Sequence, residues 1–373
     1  MRGTFLAAAG LIATACGAAA TLSLGNQTAA AGQTLVASLG FASQGQPVSG
    51  IQFDLSSDAS LLIGIMPGAQ IGASAKILYT AALSNRSMRV LIVGMNQATL
   101  ADGEILRPVI SVDPSAAPGT ASILIRNIAA SDAEGNAVSV APVTASVQIQ
   151  SGAAGVSIAP GAVVNAASLL PGAVSPGEIV SILGSAALAG TAAVQFNGTA
   201  APILYAGAGQ VNAIAPFGLS LNGNANLQIL TPAGPLAAVS LATAPVSPAL
   251  FTQNGTGTGP GAILNQDYSA NSFLNPAAAG SVIMLYGTGF GALNPPAADG
   301  QPAGGLAATV LPVTATIGGA PAQVIYAGAA PGLVAGLVQI NVQIPQNLTT
   351  NPAAPVQVGI GGVTSAAVTV AIR

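Results

Sequence analysis

Apolar and polar residues along this chain alternate in short bursts separated by turn formers. In Ile51-Gln52-Phe53-Asp54-Leu55 the period is two, which places Ile51, Phe53 and Leu55 on one face of a strand and Gln52 with Asp54 on the other. Ala101-Asp102-Gly103-Glu104 reads as a turn before a strand from Ile105 to Val112, and Ala117-Pro118-Gly119-Thr120 as a turn before a strand from Ala121 to Ile125. Ser281 to Tyr286 has the same strand character. With 47 glycines and 26 prolines among 373 residues, a breaker arrives about every five positions, so the abundant alanine does not build long helices. The pattern predicts an all-β chain.

The second half says one thing twice. Tyr205-Ala206-Gly207 is followed by Gln210-Val211-Asn212 and then Pro216, while Tyr326-Ala327-Gly328 is followed by Gln339-Ile340-Asn341 and then Pro345. Upstream, Pro176 to Gly184 answers Ala279 to Gly287, and Asn197-Gly198 answers Gly318-Gly319. Ala329 to Leu333 is an insertion in the second copy, placed in a loop where divergence costs little. Such an echo predicts one β-sandwich unit used in tandem. Its Gln210, Asn212, Gln339 and Asn341 are expected to satisfy backbone groups at strand edges or corners, and the tyrosines to share a packing role.

Composition removes several classes of function. Mean hydropathy is +0.68, yet beyond the N-terminus no apolar run approaches the roughly 18 residues of a spanning helix. Five of the seven basic residues, Lys76, Arg86, Arg89, Arg107 and Arg126, cluster between positions 76 and 126, and none occurs from Asn127 to Ile372. Nucleic acid needs several cations on one face, so it is excluded as a partner. Histidine is absent and Cys16 is the only cysteine, which leaves no imidazole, no thiol pair and no zinc set. No cofactor, metal or catalytic residue is expected.

At the N-terminus Met1-Arg2 precedes an apolar run from Phe5 and small residues up to Ala20, the layout of an export signal over residues 1–20. Cys16 stands where the lipidated residue of a bacterial lipoprotein would lie; removal at Ala20 is the equal alternative. The expected location is secreted or at a bacterial cell surface.

Several motifs give way to blander readings. Gly287-Thr288-Gly289-Phe290-Gly291-Ala292 has the letters of a dinucleotide fingerprint, but Pro295-Pro296 forbids the helix that must open there. Gly255 to Gly261 lacks the lysine of a phosphate cradle and reads as a flexible loop between the copies. Asp132-Ala133-Glu134-Gly135-Asn136 spaces oxygen ligands as calcium loops do but lacks the later bidentate acid, so a turn is expected. Asp54 with Asp58, and Asp102 with Glu104, are paired carboxylates by proximity only. Tyr79 is able to stack on a sugar, yet aromatics are 3% of the chain without a tryptophan, which counts against a strong polysaccharide site.

Gly50 to Asp58, Leu61-Leu62, Asp102 to Leu106 and Ala117 to Thr120, in that order, resemble a cohesin domain, the jelly-roll sandwich that holds dockerin modules in polysaccharide-degrading complexes. Val164 to Ser168, Ser175 to Gly184 and the two echoes resemble an uncharacterised C-terminal family of secreted soil-bacterial proteins, built from immunoglobulin-like IPT/TIG sandwiches. The resemblance implies a cohesin-like domain over residues 21–150, a linker over 151–161, and Ig-like domains over 162–248 and 249–373. It implies a non-catalytic exported scaffold that binds a dockerin-like partner through a face including Gln52, Asp54, Leu83 and Arg89. Leu83 departs from the polar or aromatic contacts that the family places there. Alternatives are a carbohydrate-binding module that takes a polysaccharide, and a purely structural envelope or adhesion protein.

Overall fold

The computed structural model describes residues 18–84, 86–94, 96–151, 157–184, 188–207, 209–221, 223–232 and 234–373. Cys16 and most of the export signal lie outside the described residues. The chain is all-β, and among the described residues the α-helix is a single short turn, Ala69–Ala73.

The first unit comprises β1 (Ala20–Leu24), β2 (Gln27–Ala30), β3 (Thr34–Val36), β4 (Leu39–Ala42), β5 (Gly50–Ser57), β6 (Leu61–Pro67), β7 (Ile77–Ser84), β8 (Ser87–Val93), β9 (Gly103–Val112), β10 (Gly119–Ser131), β11 (Ala137–Val138), β12 (Val140–Ala141) and β13 (Val143–Gln150). One sheet runs β12-β1-β4-β9-β3 with β6 beside β9; the other runs β2-β13-β10-β5-β8-β7 with β11 beside β10. Phe53, Leu55, Ile123 and Val147 meet Leu39, Ile105 and Ile110 in the core between them. The period-two reading of β5 has the right phase. Ala20 is buried and its N–H donates to Ser139 O (3.1 Å), so β1 starts inside the segment that the sequence assigns to the leader.

The repeat is visible strand by strand. In the second unit Ile179–Leu183, Gln210–Ile214 and Ile203–Gly207 lie side by side; in the third Val282–Thr288, Val338–Gln343 and Ala320–Ala329 do the same. Both copies carry a bulge just before the tyrosine, between Ile203 and Tyr205 and between Val324 and Tyr326. They differ in the strand that carries the tyrosine. Ala320–Ala329 runs unbroken and pairs first with Val313–Ile317, then with Val338–Gln343. Pro202 stands at the matching place in the second unit, and without an N–H it splits the strand into Thr199–Ala201 and Ile203–Gly207.

The echoed residues form one tile on the outer face. Tyr205 is opposite Asn212 and Gly207 opposite Gln210, as Tyr326 is opposite Asn341 and Gly328 opposite Gln339. A Cβ on Gly207 would collide with the Tyr205 hydroxyl, and one on Gly328 would lie 2.7 Å from that of Tyr326, which is why the tyrosine is followed two residues later by glycine. Gln210 Nε2 donates to Asn212 Oδ1 (2.8 Å) and Gln339 Nε2 to Asn341 Oδ1 (2.9 Å). The amides bond each other, where the sequence suggested backbone partners. Gly328→Ala would also drive its methyl into Ala307 O. A loss of several kcal/mol, about 2–4, is expected in denaturant unfolding, against about 1 for Gly319→Ala, whose neighbourhood is open.

The units are joined by packing as well as by the chain. Met66 and Val109 of the first enter the core of the second beside Val163 and Ile182. Ile158, within the expected linker, is buried in that same cluster; residues 152–156 of that linker lie outside the described residues. Asn165 Nδ2 donates to Ser247 O (3.0 Å), whose own N–H donates to Gly289 O of the third unit, and Ile179 N–H donates to Thr288 Oγ, which donates to Gly336 O (2.8 and 2.9 Å). Gly289 and Gly291, both at positive φ, let the strand end lie against the carbonyls of Ser247 and Pro245, so the fingerprint glycines make a corner.

The loop Gly255 to Gly261 is an inserted wedge, in contrast to the flexible connector expected. Gly257 lies against the Ser168 backbone of the second unit and Gly259 against Ile77 of the first, each too close for a Cβ. Asn254 Nδ2 donates to Leu78 O (3.1 Å) and Leu78 N–H donates to Thr258 Oγ (3.2 Å). These bonds occupy the outer edge of β7 at Leu78, the edge strand of its sheet.

Candidate binding face

The outer face of β10, β5, β8 and β7 is set by cross-strand register. Gln52 pairs with Leu91 and Leu91 with Tyr79, so these three share one rung. On the next rung Asp54 pairs with Arg89 and Arg89 with Ala81, while Arg126 of β10 stands on the other side of Asp54. Leu83 falls in the irregularity of β7 between Ala82 and Ser84, beside the rung of Arg89. The register therefore brings Gln52, Asp54 and Arg89 onto one surface, with exposed Leu83 in the irregular edge strand beside it.

Asp54 is not the free outward carboxylate that alternation alone implies. Although on the outer face, it is 8% exposed. The Arg89 guanidinium holds it in a fork, Nε to Oδ1 at 2.7 Å and Nη2 to Oδ2 at 2.9 Å, and Asn127 Nδ2 donates to Oδ2 at 2.8 Å. The hydrogen bonds from Arg89 and then Asn127 lower the Asp54 pKa to about 2. Its contribution to stability is thus present above the ordinary carboxylate range and is lost only as pH falls through that value. Asn127 escaped sequence reading because it acts from an irregularity in β10 at a φ of 53°, a conformation that asparagine tolerates. Its position directly after Arg126, where the alternation of Ile123 and Ile125 ends, is the signal that was there to find.

Around this fixed ion pair lie large exposed side chains. Tyr79 is 40% and Leu83 50% exposed, Arg126 is exposed, and Leu91 and Leu124 are half-buried. The result is a patch of mixed aromatic, aliphatic and arginine character, with Asp54 neutralised by Arg89.

The other acids serve the fold. Asp58 accepts from Ser122 N–H (2.6 Å), Asp102 from Ser43 N–H (2.7 Å), and Asp299 from Phe217 N–H (2.8 Å). Glu104 pairs with Arg107 at 3.6 Å. Each carboxylate pair considered for glycoside chemistry is thereby employed elsewhere. Asp132 accepts from the N–H groups of Glu134 and Asn136 and from Asn136 Nδ2, closing its turn on itself. Among the described residues no group of three or more metal-ligating side chains occurs, and no helix is long and apolar enough to cross a membrane. A cleft of about 660 Å³ opens where the three units meet, walled by Ile63, Ile65, Leu169, Leu183 and Phe251. In it Ser181 and Gln210 both donate to Asn212 Oδ1.

No protein-family model matches the chain, and no curated protein matches its sequence. Among solved structures it is similar to the sixth cohesin of scaffoldin B from Acetivibrio cellulolyticus, solved with a Cel5 dockerin mutant, at 16% identity and a TM-score of 0.33, covering 36% of this chain and 100% of that one. A non-cellulosomal cohesin from Archaeoglobus fulgidus is 20% identical with a TM-score of 0.32, over 36% of this chain and 93% of that one. A type I cohesin–dockerin complex from Clostridium thermocellum gives 17% identity and 0.33, over 36% and 100%.

Proposed function

We propose that the chain is an exported, non-catalytic binding protein whose first unit takes a dockerin-type module on the outer face of β5, β7, β8 and β10, in the service of polysaccharide breakdown. The observation that carries this reading is the rung of Arg126, Asp54, Arg89 and Ala81 with Tyr79 and Leu83 exposed beside it. Protein interfaces favour this composition, with arginine and aromatic groups present and lysine absent. The Asp54–Arg89 fork holds the guanidinium in place before binding, so little ordering entropy remains to be lost. The structural employment of the acids supports a role without catalysis. Cleavage at Cys16 in place of Ala20 would leave β1 whole, which favours the lipoprotein reading and a cell-surface location.

The test is binding of the full chain to a panel of purified dockerin modules by calorimetry. Leu83→Asp should weaken binding at least about tenfold, because it buries a charge in an apolar contact, and should leave the melting temperature unchanged. Arg89→Ala should weaken it similarly and also expose Asp54. Failure of every dockerin to bind, or full affinity in Leu83→Asp, rejects the proposal.

A further inference from the structure

The repeat leaves one strand edge open in one copy and covers it in the other. In the second unit Ile203–Gly207 is the last strand of its sheet. Gln210–Ile214 pairs with one side of it, and among the described residues no strand or bridge pairs with the other. In the third unit the answering stretch, Val324 to Ala329, has the same kind of neighbour in Val338–Gln343, but its far edge is occupied. Ala308 pairs antiparallel with Gly328, and Ala329 N–H donates to Ala307 O at 2.8 Å. That cover belongs to a hairpin of Leu293–Asn294 with Ala308–Thr309, placed between Gly287 and Gly319. The second unit passes from Gly184 to Gly198 with fewer residues and has no such hairpin among its described residues. The covered copy thus shows what this edge accepts: an extended, uncharged segment running antiparallel to it.

Register locates the free backbone groups. Tyr205 and Gly207 stand opposite Asn212 and Gln210, as Tyr326 and Gly328 stand opposite Asn341 and Gln339. Along a strand, successive residues turn their N–H and C=O to opposite edges. Ala329 N–H points to the hairpin, so Ala327 faces it too, and Ala206 is the residue that answers Ala327. The N–H and C=O of Ala206 therefore point out of the sheet on the uncovered side.

This edge also lacks the usual protection, which is lysine, another charge or proline along an exposed strand. Leu204-Tyr205-Ala206-Gly207 has none of these, and Leu204 and Tyr205 are 45% and 53% exposed. Pro202 guards only the start of the strand, where Gly300 of the third unit lies against its ring. We propose that the open edge of Ile203–Gly207 pairs with the same edge of a second copy of this chain about a two-fold axis. A two-fold sets the strand antiparallel to itself, which is the orientation of the cover in the third unit, and it requires no second patch. The strand also matches that cover in kind, since Ala307-Ala308-Thr309 and Leu204 to Gly207 are both free of charge. The surface is separate from the partner face on the first unit.

Sedimentation velocity of the full chain over a concentration series tests this. A reversible monomer–dimer equilibrium is expected, with a Kd of about 1–100 µM, because one short strand pair buries less than a standard interface. Ala206→Pro removes the outward N–H while leaving the ladder to Gln210–Ile214 its bonds, and should raise the Kd at least about tenfold. Leu204→Lys sets like charges across the two-fold and should do the same. Ile325→Lys, at the answering position of the covered copy and 55% exposed, should leave the equilibrium unchanged. A wild type that stays monomeric throughout the series, dimerisation undiminished in either edge variant, or loss of the dimer in Ile325→Lys would each overturn the proposal. Binding of a synthetic peptide of residues 305–311 by a chain that remains monomeric would overturn it as well, in favour of a foreign strand.

Discussion

Glu178→Gln is expected to make the protein more stable above neutral pH and to flatten its stability between about pH 5 and pH 8. Glu178 is buried beneath the contact of the second and third units, and burial pushes its pKa up to about 8, against smaller lowering effects of hydrogen bonds from Ser175 N–H, Ser175 Oγ and Asn165. The Ser175 bonds are 2.8 and 3.1 Å to Oε2. Between the ordinary carboxylate value of 4.5 and about 8 the folded protein keeps a proton that the unfolded chain has released. Stability therefore falls as pH rises through that window, and the penalty is complete above it. The displacement corresponds to several kcal/mol, on the order of 4, or roughly 10 °C in melting temperature. Glutamine keeps an acceptor for Ser175 and cannot ionise. Calorimetry from pH 4 to pH 9 should show wild type and variant together at the acid end and diverging upward; parallel curves would refute the account.

Gly257→Ala is expected to open the junction of the three units. Its φ of 75° strains any side chain, and a methyl there would strike the Ser168 carbonyl. Backbone strain and collision together cost about 3 kcal/mol or more, enough to withdraw the loop together with its Asn254 and Thr258 bonds to Leu78. Melting should then separate into more than one transition, and the scattering radius should grow. Gly255→Ala is the control: it shares a positive φ, 64°, but meets open space, and should cost only about 1 kcal/mol. If both variants melt as one transition, the loop does not hold the units together.

What the chain shows as letters and what it shows only as a solid differ in physical range. β5 was legible because its alternation is local, and the tandem units because each echo carries its own turn and strand. The partners of Asp54 were not: Arg89 and Asn127 reach it from 35 and 73 residues away, and no local period encodes such a meeting. Gly257 failed for a related reason. A glycine run reads as freedom when its neighbours are unknown, whereas here the missing Cβ of Gly257 admits the Ser168 carbonyl and that of Gly259 the Ile77 side chain. The paired amides of the echo were misassigned because bonding between Gln210 and Asn212 depends on strand pleat, which sets residues two apart on one side.

The two bonds at Leu78 give the molecule a load path. Tension applied to the third unit passes sideways through Asn254 and Thr258 into β7, which belongs to the proposed binding sheet, as well as along the covalent chain. A partner gripping the outer face of β7 and β8 would be pulled by the strand it touches. In the proposed role, drag on the third unit would thus reach the partner through two hydrogen bonds to the strand it touches as well as through the covalent chain.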